Sequence, residues 1–292
     1  MEIYLDNSAT TRTLDCVAEL MCQIMTKDYG NPSSMHAKGV EAERYIKYAK
    51  EILAKILKVN EKEIYFTSGG TESDNWALKA TAEAYKDKGN HIITSKIEHH
   101  AILHTCEYLE KKGYEVTYVN VDEDGVVKLD ELKAAIRPDT ILISVMFANN
   151  EIGTIEPIKE IGEIAKANGI LFHTDAVQAF GQVPINVDEL NIDMLSSSGH
   201  KLNGPKGIGF LYVKEGTKLE PYIHGGSQEY KMRAGTENVP AIVGLGAAME
   251  KISKRDFDNT HVCNMNKLLR CALSEIPKMK FNSSDDSKIC DP

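Results

Sequence analysis

The sequence predicts an α/β protein in which helices cover both faces of a mostly parallel sheet. Short apolar segments alternate with amphipathic segments along most of the chain, as in proteins where each parallel strand is followed by a crossover helix. The strand-like segments are apolar on both sides, which is typical of strands buried between two helical layers. Hydrophobic residues make up 42% and charged residues 26% of the 292 residues, a composition that favours a folded chain over a disordered one.

The predicted elements follow one another in a regular order. Ala42–Val59 carries apolar residues at helical spacing with lysines and glutamates between them, which predicts an amphipathic helix. The predicted strands are Ile64–Phe66, His91–Ser95, Glu115–Val119, Thr140–Met146, Ile170–Thr174, Asp193–Ser196 and Ile208–Val213. The predicted helices between them are Thr71–Tyr85, Ala101–Lys112, Leu129–Ile136 and a segment through Ile158–Ala165. Ligands of such sheets bind beyond the carboxyl ends of the strands, so the polar residues after each strand are the candidate site residues.

Charge and cysteine content exclude several classes of protein. Lys and Arg number 34 and Asp and Glu number 43, a net charge of −9, so we expect no nucleic-acid partner. No segment reaches the roughly 18 apolar residues of a membrane span, and the first residues lack the basic start of a secretory signal. The six cysteines form no Cys-x-x-Cys pair. We therefore expect a cytoplasmic protein with free thiols, most of them packed in helices as small apolar residues.

The end of the sequence predicts only the beginning of a second domain. Asp256–Leu273 predicts a helix and Lys278–Phe281 the start of a strand, and one helix and one strand cannot bury a core of their own. We therefore expect residues 16–250 to form a large domain. Residues 1–15 and 251–292 are expected to belong to a small, incomplete α+β domain, which is either a natural appendage or part of a domain that has been cut off.

The first two predicted strands are followed by a glycine-rich turn and by a histidine. Gly70 and Thr71 open a helix, where free backbone N–H groups suit a phosphate, although a plain strand-to-helix turn fits equally well. His99 could stack on a ring, move protons, bind a metal or lie on the surface. A metal is the weaker alternative because no Cys/His cluster accompanies it.

Three later strands are followed by amide, acidic and basic residues. Asn149 and Asn150 suggest hydrogen bonds to a ligand oxygen, or a turn. Asp175 ends an apolar strand, where an acid is costly unless it is paired; it could face a protonated ring nitrogen or cap a helix. Lys201 lies in a loop of small residues and could form a Schiff base or be a solvated lysine.

These signals are weak one by one, and together they describe a single kind of site. In order along the chain they supply a phosphate cradle, an aromatic stack, donors to a phenolic oxygen, a carboxylate for a ring nitrogen and an amine for an aldehyde. That set fits pyridoxal 5′-phosphate (PLP).

The same residues lie in motifs that resemble those of a known family. The motifs are Tyr4–Thr11, Gly30–His36, Phe66–Asn75, Glu98-His99, Asn149–Gly153, His173–Gln178, Ser198–Lys201, Gly204–Gly209 and Arg233–Asn238. From Tyr4 to about Phe281 the sequence resembles the cysteine desulfurases, the NifS/IscS-like branch of the class V aminotransferases. The resemblance implies the PLP-dependent transferase fold of type I, with a mixed, mostly parallel seven-stranded sheet.

The resemblance also implies a role for each matching residue. Lys201 would bond to the cofactor aldehyde and move protons, Asp175 would hold the pyridine nitrogen protonated, and His99 would stack on the ring and carry protons. It implies that Gly70, Thr71, Ser198 and His200 contact the phosphate, Asn150 and Gln178 lie near the phenolic oxygen, Thr236 reaches the phosphate of the other subunit, and Asn7 lies in the segment lining the substrate pocket. A homodimer with shared active sites is thereby implied.

The activity implied is the transfer of sulfur from L-cysteine, which becomes L-alanine, to an enzyme cysteine. The resulting persulfide would serve a sulfur acceptor or an iron–sulfur scaffold protein. Two alternatives stay open. One is a non-catalytic PLP-binding dimeric scaffold, and the other is a related class V enzyme such as selenocysteine lyase or an aminotransferase.

The sulfur nucleophile is the part of the family pattern that the sequence does not match. In the family this cysteine lies in a Ser/Gly/Ala-rich loop well beyond position 281, and the arginine for the substrate carboxylate lies later still. Cys290 has a different sequence context. We therefore expect the C-terminal part to be lacking, and the 292-residue chain to bind PLP but to release little or no sulfide.

Overall fold

The computed structural model describes residues 3–254, 260–281 and 289, and its centre is a seven-stranded sheet. The strands are β1 (Ile64–Thr67), β2 (His91–Ser95), β3 (Glu115–Val119), β4 (Thr140–Ser144), β5 (Leu171–Asp175), β6 (Met194–Ser198) and β7 (Gly209–Val213). Their spatial order is β1-β7-β6-β5-β4-β2-β3. Each predicted strand is present with ends within two residues of the prediction.

The sheet is mixed because one strand runs against the others. β3, β2, β4, β5 and β6 pair in parallel, whereas β7 is antiparallel to both of its neighbours, β6 and β1. β1 therefore runs in the same direction as these five strands, and the carboxyl ends of all six meet at one edge of the sheet. The residues that follow β2, β4, β5 and β6 gather there, as the sequence predicted.

The described chain contains eight α-helices. They are α1 (Asp15–Thr26), α2 (Ala37–Leu57), α3 (Gly70–Ala84), α4 (His100–Glu110), α5 (Leu129–Ala135), α6 (Ile158–Asn168), α7 (Val239–Ser253) and α8 (Thr260–Ser274). Successive strand residues point to opposite faces: Ile93 belongs to one apolar core and Ile92 to the other. Among the described residues no helix has the length and apolar character needed to cross a membrane.

Helix α7 was not predicted from the sequence. Nine of its fifteen residues are buried, among them Ile242, Leu245 and Met249, and it packs against α1 and α2. A helix that is apolar on most sides lacks the alternation of apolar and polar residues that marks an amphipathic helix, so periodicity gave no signal for it.

The cysteines only partly follow the expectation of buried free thiols. Cys106 is a buried free thiol on α4, whereas Cys16 and Cys22 on α1 are exposed, because the buried face of that helix is formed by Val17 and Ile24. Cys263 is disulfide-bonded, which corrects the expectation for that residue. Cys290 lies outside the described residues.

The C-terminal segment has less regular structure than predicted. Helix α8 begins at Thr260 and has no buried residue, and residues 255–259 before it are not among the described ones. Lys278–Phe281 forms no strand, so that prediction was wrong; no strand of the described chain lies beside it to pair with its backbone. The division into a large and a small domain stays a prediction.

A buried ion pair ties α2 to a strained segment close to the carboxyl edge of the sheet. Lys50 Nζ lies 2.8 Å from Glu229 Oε2, and both side chains are buried. Glu229, Tyr230 and Lys231 all have positive φ angles, a conformation that is uncommon for residues with side chains. The ion pair therefore stabilises a backbone turn that has little intrinsic preference for its conformation.

We expect Lys50→Ala to lower the free energy of unfolding by about 3–5 kcal/mol, because it leaves the Glu229 carboxylate buried without its partner. Denaturant unfolding followed by circular dichroism measures this loss. The control is Lys86→Ala, which breaks an exposed pair with Glu83 and should change stability far less. Equal losses for the two variants would contradict the expectation.

Candidate active site

A cavity of about 810 Å³ opens at the carboxyl edge of the parallel strands. Nine of the predicted site residues line it: Gly70, Thr71, His99, Asn150, Asp175, Gln178, Ser198, His200 and Lys201. The structure thus gathers in one place residues that are spread over 132 positions of the sequence, from Gly70 to Lys201.

Two of the predicted site residues do not line this cavity. Thr236 is exposed and lines a neighbouring cavity of about 280 Å³, which shares Ser68 and Gly207 with the larger one. Asn7 lies between Asp6 and Ser8, and both of these neighbours line the main cavity. The roles predicted for Thr236 and Asn7 stay predictions.

Asp175, at the end of β5, lines the cavity. It is 5% exposed, and its Oδ1 accepts a hydrogen bond from the Val177 N–H at 2.9 Å. Burial raises the pKa of Asp175, while that hydrogen bond and the nearby His99 and Lys201 act in the opposite direction. The cavity therefore contains a carboxylate that would gain from a cationic group placed against it.

Lys201 follows β6 in a short 3₁₀ turn, Gly199–Lys201. Its Nζ donates hydrogen bonds to the backbone carbonyls of Ser8 and Ala9, the second at 3.1 Å. Burial lowers the pKa of the Lys201 amine, and the charge of Asp175 opposes this effect. A lowered pKa increases the neutral fraction of the amine, which is the form that attacks an aldehyde.

The N-terminal segment is held against the same edge of the sheet. The Thr11 N–H and hydroxyl donate to the His200 carbonyl at 2.8 and 2.7 Å, and Thr10 Oγ1 lies 3.1 Å from His200 Nδ1. Gln178 Nε2 donates to the Ser8 carbonyl at 2.9 Å. Only Asn7 of this segment was predicted to lie at the pocket, and the Tyr4–Thr11 motif was the signal for the other residues.

The start of α3 supplies the features of an anion site. Gly69 has a φ of +149°, and a Cβ added to Gly70 would lie 2.6 Å from Val177 Cγ2, so the turn needs glycine. The Ser198 hydroxyl lies close by, 3.5 Å from where a Gly69 Cβ would be. Free N–H groups at the positive end of a fifteen-residue helix, together with a hydroxyl, fit a phosphate group.

Next to this helix start, Glu72 and Arg233 form a bidentate ion pair that the sequence analysis missed. Arg233 Nε and Nη2 lie 2.7 and 3.0 Å from the Glu72 carboxylate, which also accepts from the Ser68 N–H at 2.8 Å. Although burial acts to raise it, these hydrogen bonds lower the pKa of Glu72. The pair links the wall of the main cavity to the cavity that Thr236 lines.

His99 and Asn150 line the cavity, whereas Asn149 does not. His99 Nδ1 accepts from the Ala101 N–H at 3.1 Å, so a neutral ring carries its proton on Nε2. The Asn149 amide accepts from the Glu151 and Ile152 N–H groups and is buried. Asn149 therefore stabilises the turn, and Asn150 is the amide that lines the cavity.

Glu98 is a buried acid directly before His99. Its Oε1 accepts from the Ser95 hydroxyl at 2.6 Å and the Met146 N–H at 3.0 Å. Burial raises the pKa of Glu98 from 4.5 to about 8. The carboxyl group therefore remains protonated at neutral pH in the folded protein.

Because its folded pKa is raised, Glu98 makes stability fall as pH rises. Between the ordinary pKa of 4.5 and about 8 the unfolded chain releases this proton and the folded chain keeps it, so that unfolding becomes more favourable with pH. We expect Glu98→Gln, which keeps both hydrogen bonds, to make the melting temperature less dependent on pH between pH 5 and 8. The exposed Glu107→Gln on α4 is the control, and a Glu98→Gln profile parallel to the wild type would contradict this prediction.

The fold and the site together define a class of protein. A mixed seven-stranded sheet with a buried aspartate, a lysine and a glycine-started helix at its carboxyl edge is the arrangement of the PLP-dependent transferase fold of type I. The chain belongs to the class-V aminotransferase family, whose model matches residues 3–290. The predictions of the fold, the family and an enzyme of this family are confirmed.

The named relatives define the branch of that family. Over 288 residues the chain is 57% identical to "Cysteine desulfurase IscS" of Methanosarcina thermophila, covering 98% of this chain and 71% of that protein. A solved structure described as a NifS-like protein matches with a TM-score of 0.94 and 42% identity, covering 99% of this chain and 80% of that one. The structure described as SspA in complex with cysteine matches with a TM-score of 0.89 and 40% identity, covering 97% and 82%.

Proposed function

We propose that this protein is a PLP-dependent cysteine desulfurase. L-cysteine gives up its sulfur to a protein thiol, which becomes a persulfide, and L-alanine is released. The observation that supports this most is that the Lys201 amine and the Asp175 carboxylate line one cavity with the glycine-rich start of α3. The relatives named cysteine desulfurase, and the solved structure described as SspA in complex with cysteine, support L-cysteine as the substrate.

The residues at the cavity fit PLP group by group. Lys201 would supply the amine that bonds to the aldehyde, and Asp175 would supply the anion for the protonated ring nitrogen. The residues that would contact the phosphate are Gly70, Thr71, Ser198 and His200. Asn150 and Gln178 would lie beside the phenolic oxygen of the ring. When bound, PLP supplies an electron sink for the electron pair left at Cα when an amino acid loses its α-proton.

The chain's own residues orient the substrate and move its protons. A Lys201 amine with a lowered pKa can accept a proton. The exposed imidazole ring of His99 can stack on the PLP ring, and its Nε2–H can deliver a proton. The segment that contains Asn7 lies against the cavity and would form a wall of the substrate pocket.

We also propose a homodimer in which Thr236 completes the phosphate site of the other subunit. The exposed Thr236 lines a neighbouring cavity that shares the lining residues Ser68 and Gly207 with the main one, which supports this arrangement. A cytoplasmic location and transfer of sulfur to an acceptor or iron–sulfur scaffold protein complete the proposal.

Exchange of the α-proton tests the proposed chemistry. We expect the PLP-loaded chain to exchange the α-proton of L-cysteine for deuterium in heavy water, measured by NMR, because this step needs only Lys201, Asp175 and the ring. Glutamate serves as the competing substrate. Faster exchange with glutamate than with cysteine would favour an aminotransferase, and no exchange with either would contradict the proposal.

A second candidate function is a PLP-binding scaffold that releases no sulfide. It is favoured by one observation: no cysteine is found among the described residues that line the cavity. Exchange of the α-proton of L-cysteine separates the two candidates, and sulfide release with a reductant, by this chain and by Cys290→Ala, tests whether the 292 residues contain the sulfur nucleophile. We expect little or no release from the 292-residue chain, and turnover lost in Cys290→Ala would make Cys290 the nucleophile.

A further inference from the structure

Asp74 is a buried acid beside the cavity to which the proposed function gives no role. It lies in the second turn of α3 and is 1% exposed. One side-chain atom each from Asp74, His99 and Asp175 lies within 4.8 Å of the other two. A second carboxyl group is thus placed against the one that would face the ring nitrogen of PLP.

The other side of Asp74 offers it no positive charge. His173 Nε2 lies 3.8 Å from Asp74 Oδ1, but the His173 ring contacts the hydroxyls of Ser144 at 2.9 Å and Ser196 at 3.0 Å. Burial lowers the pKa of His173 to about 3, so the ring is neutral. Within the described residues Asp74 Oδ1 has no hydrogen-bond partner.

Two buried carboxyl groups this close cannot both be ionised at low cost. Asp175 is the better anion, since the Val177 N–H bonds to it and the Lys201 charge favours its ionised form. Burial, followed by the charge of Asp175, raises the pKa of Asp74 well above its ordinary value. The proton of the pair therefore belongs on Asp74.

We propose that Asp74 keeps its proton and donates a hydrogen bond to the Asp175 carboxylate. This makes Asp74 a positioning residue: it fixes the direction of the carboxylate and stabilises its negative charge. The proposal rests on the proposed function, because Asp175 faces a ring nitrogen only when PLP is bound. The titratable groups around the pair are Glu98 and His99 directly before α4, His173 on β5 and Lys201 after β6.

Infrared spectroscopy of the cofactor-free protein tests the protonation state directly. At neutral pH we expect Asp74→Asn to lose part of the carbonyl stretch of protonated carboxylic acids, with no change in the carboxylate bands. Glu98→Gln gives the reference for another buried acid that is protonated at this pH. Loss of a carboxylate band in Asp74→Asn would overturn the proposal. This result does not depend on PLP binding, so it stands apart from a failure of the proposed function.

Two substitutions separate the hydrogen bond from simple packing. Asparagine keeps an N–H donor at this position, whereas leucine has a similar size and no donor. With Asp74→Leu we expect PLP to bind at least about tenfold more weakly, as for the loss of a hydrogen bond to a charged group. With Asp74→Asn we expect the affinity to stay within about threefold of the wild type.

Absorbance of the bound cofactor provides the second readout. The pH at which the absorbance of bound PLP changes should shift in Asp74→Leu and stay near the wild-type value in Asp74→Asn. Thr174→Val, a buried substitution on β5 next to Asp175 whose side chain points to the other face of the sheet, is the matched control. Equal affinities and profiles for the leucine and asparagine variants would overturn the donor role. Should the leucine variant fail to fold, the infrared result on Asp74→Asn still decides.

Discussion

Replacement of Lys201 by alanine should abolish the covalent attachment of PLP while the protein stays folded. The Lys201 amine lines the cavity, and its lowered pKa suits it for attack on an aldehyde. Loss of the same amine as a proton acceptor should slow α-proton exchange by about 10²–10⁴-fold, the usual contribution of a positioned base.

Lys206 provides the control for this experiment, because its side chain lines the same cavity. Lys206→Ala should retain the visible absorbance of covalently bound PLP, and Lys201→Ala should lack it. Absorbance spectra before and after addition of PLP, together with exchange rates by NMR, measure both effects. If Lys201→Ala kept the visible band and Lys206→Ala lost it, the assignment of the reactive amine would be wrong.

Replacement of Asp175 by asparagine should leave the fold intact and remove most of the α-proton exchange activity. Asparagine can still accept the hydrogen bond from the Val177 N–H, but it carries no charge to hold a proton on the ring nitrogen. Breaking a buried ion pair costs about 3–5 kcal/mol, which corresponds to a loss in α-proton exchange of roughly 10²–10⁴-fold.

The matched control is Asp193→Asn, directly before β6 at the opposite edge of the sheet. Asp193 accepts a hydrogen bond from the Phe172 N–H at 2.9 Å and does not line the cavity. The rate of α-proton exchange in Asp193→Asn should stay close to that of the wild type. Circular dichroism confirms that the variant is folded. A similar loss of exchange in both variants would mean that Asp175 acts on stability, not on the cofactor.

The sheet and most of the cavity could be predicted because their signals are local. A short apolar segment predicts a strand, and a polar residue directly after it is predicted to lie at the carboxyl edge of the sheet. Asp175 and Lys201 each follow such a segment. Helix α7 could not be predicted this way, since it is buried on most sides and lacks amphipathic periodicity.

Features that depend on distant pairing were also missed. Glu72 and Arg233 are separated by 161 positions, and the sequence around either residue does not predict that the two form an ion pair. Asp74 did carry a usable signal, because it lies at helical spacing with Leu78 and Thr81 on the buried face of α3. An acid on a buried helix face needs a partner or a proton, and that argument points to Asp175.

The most direct test of this account is the position of the PLP adduct in the wild-type protein. Reduction with borohydride fixes the cofactor to the lysine that holds it, and mass spectrometry of the digested protein identifies that lysine. We predict a single adduct on Lys201 and bleaching of the visible band on reduction. An adduct on Lys206, or no binding of added PLP, would contradict the account.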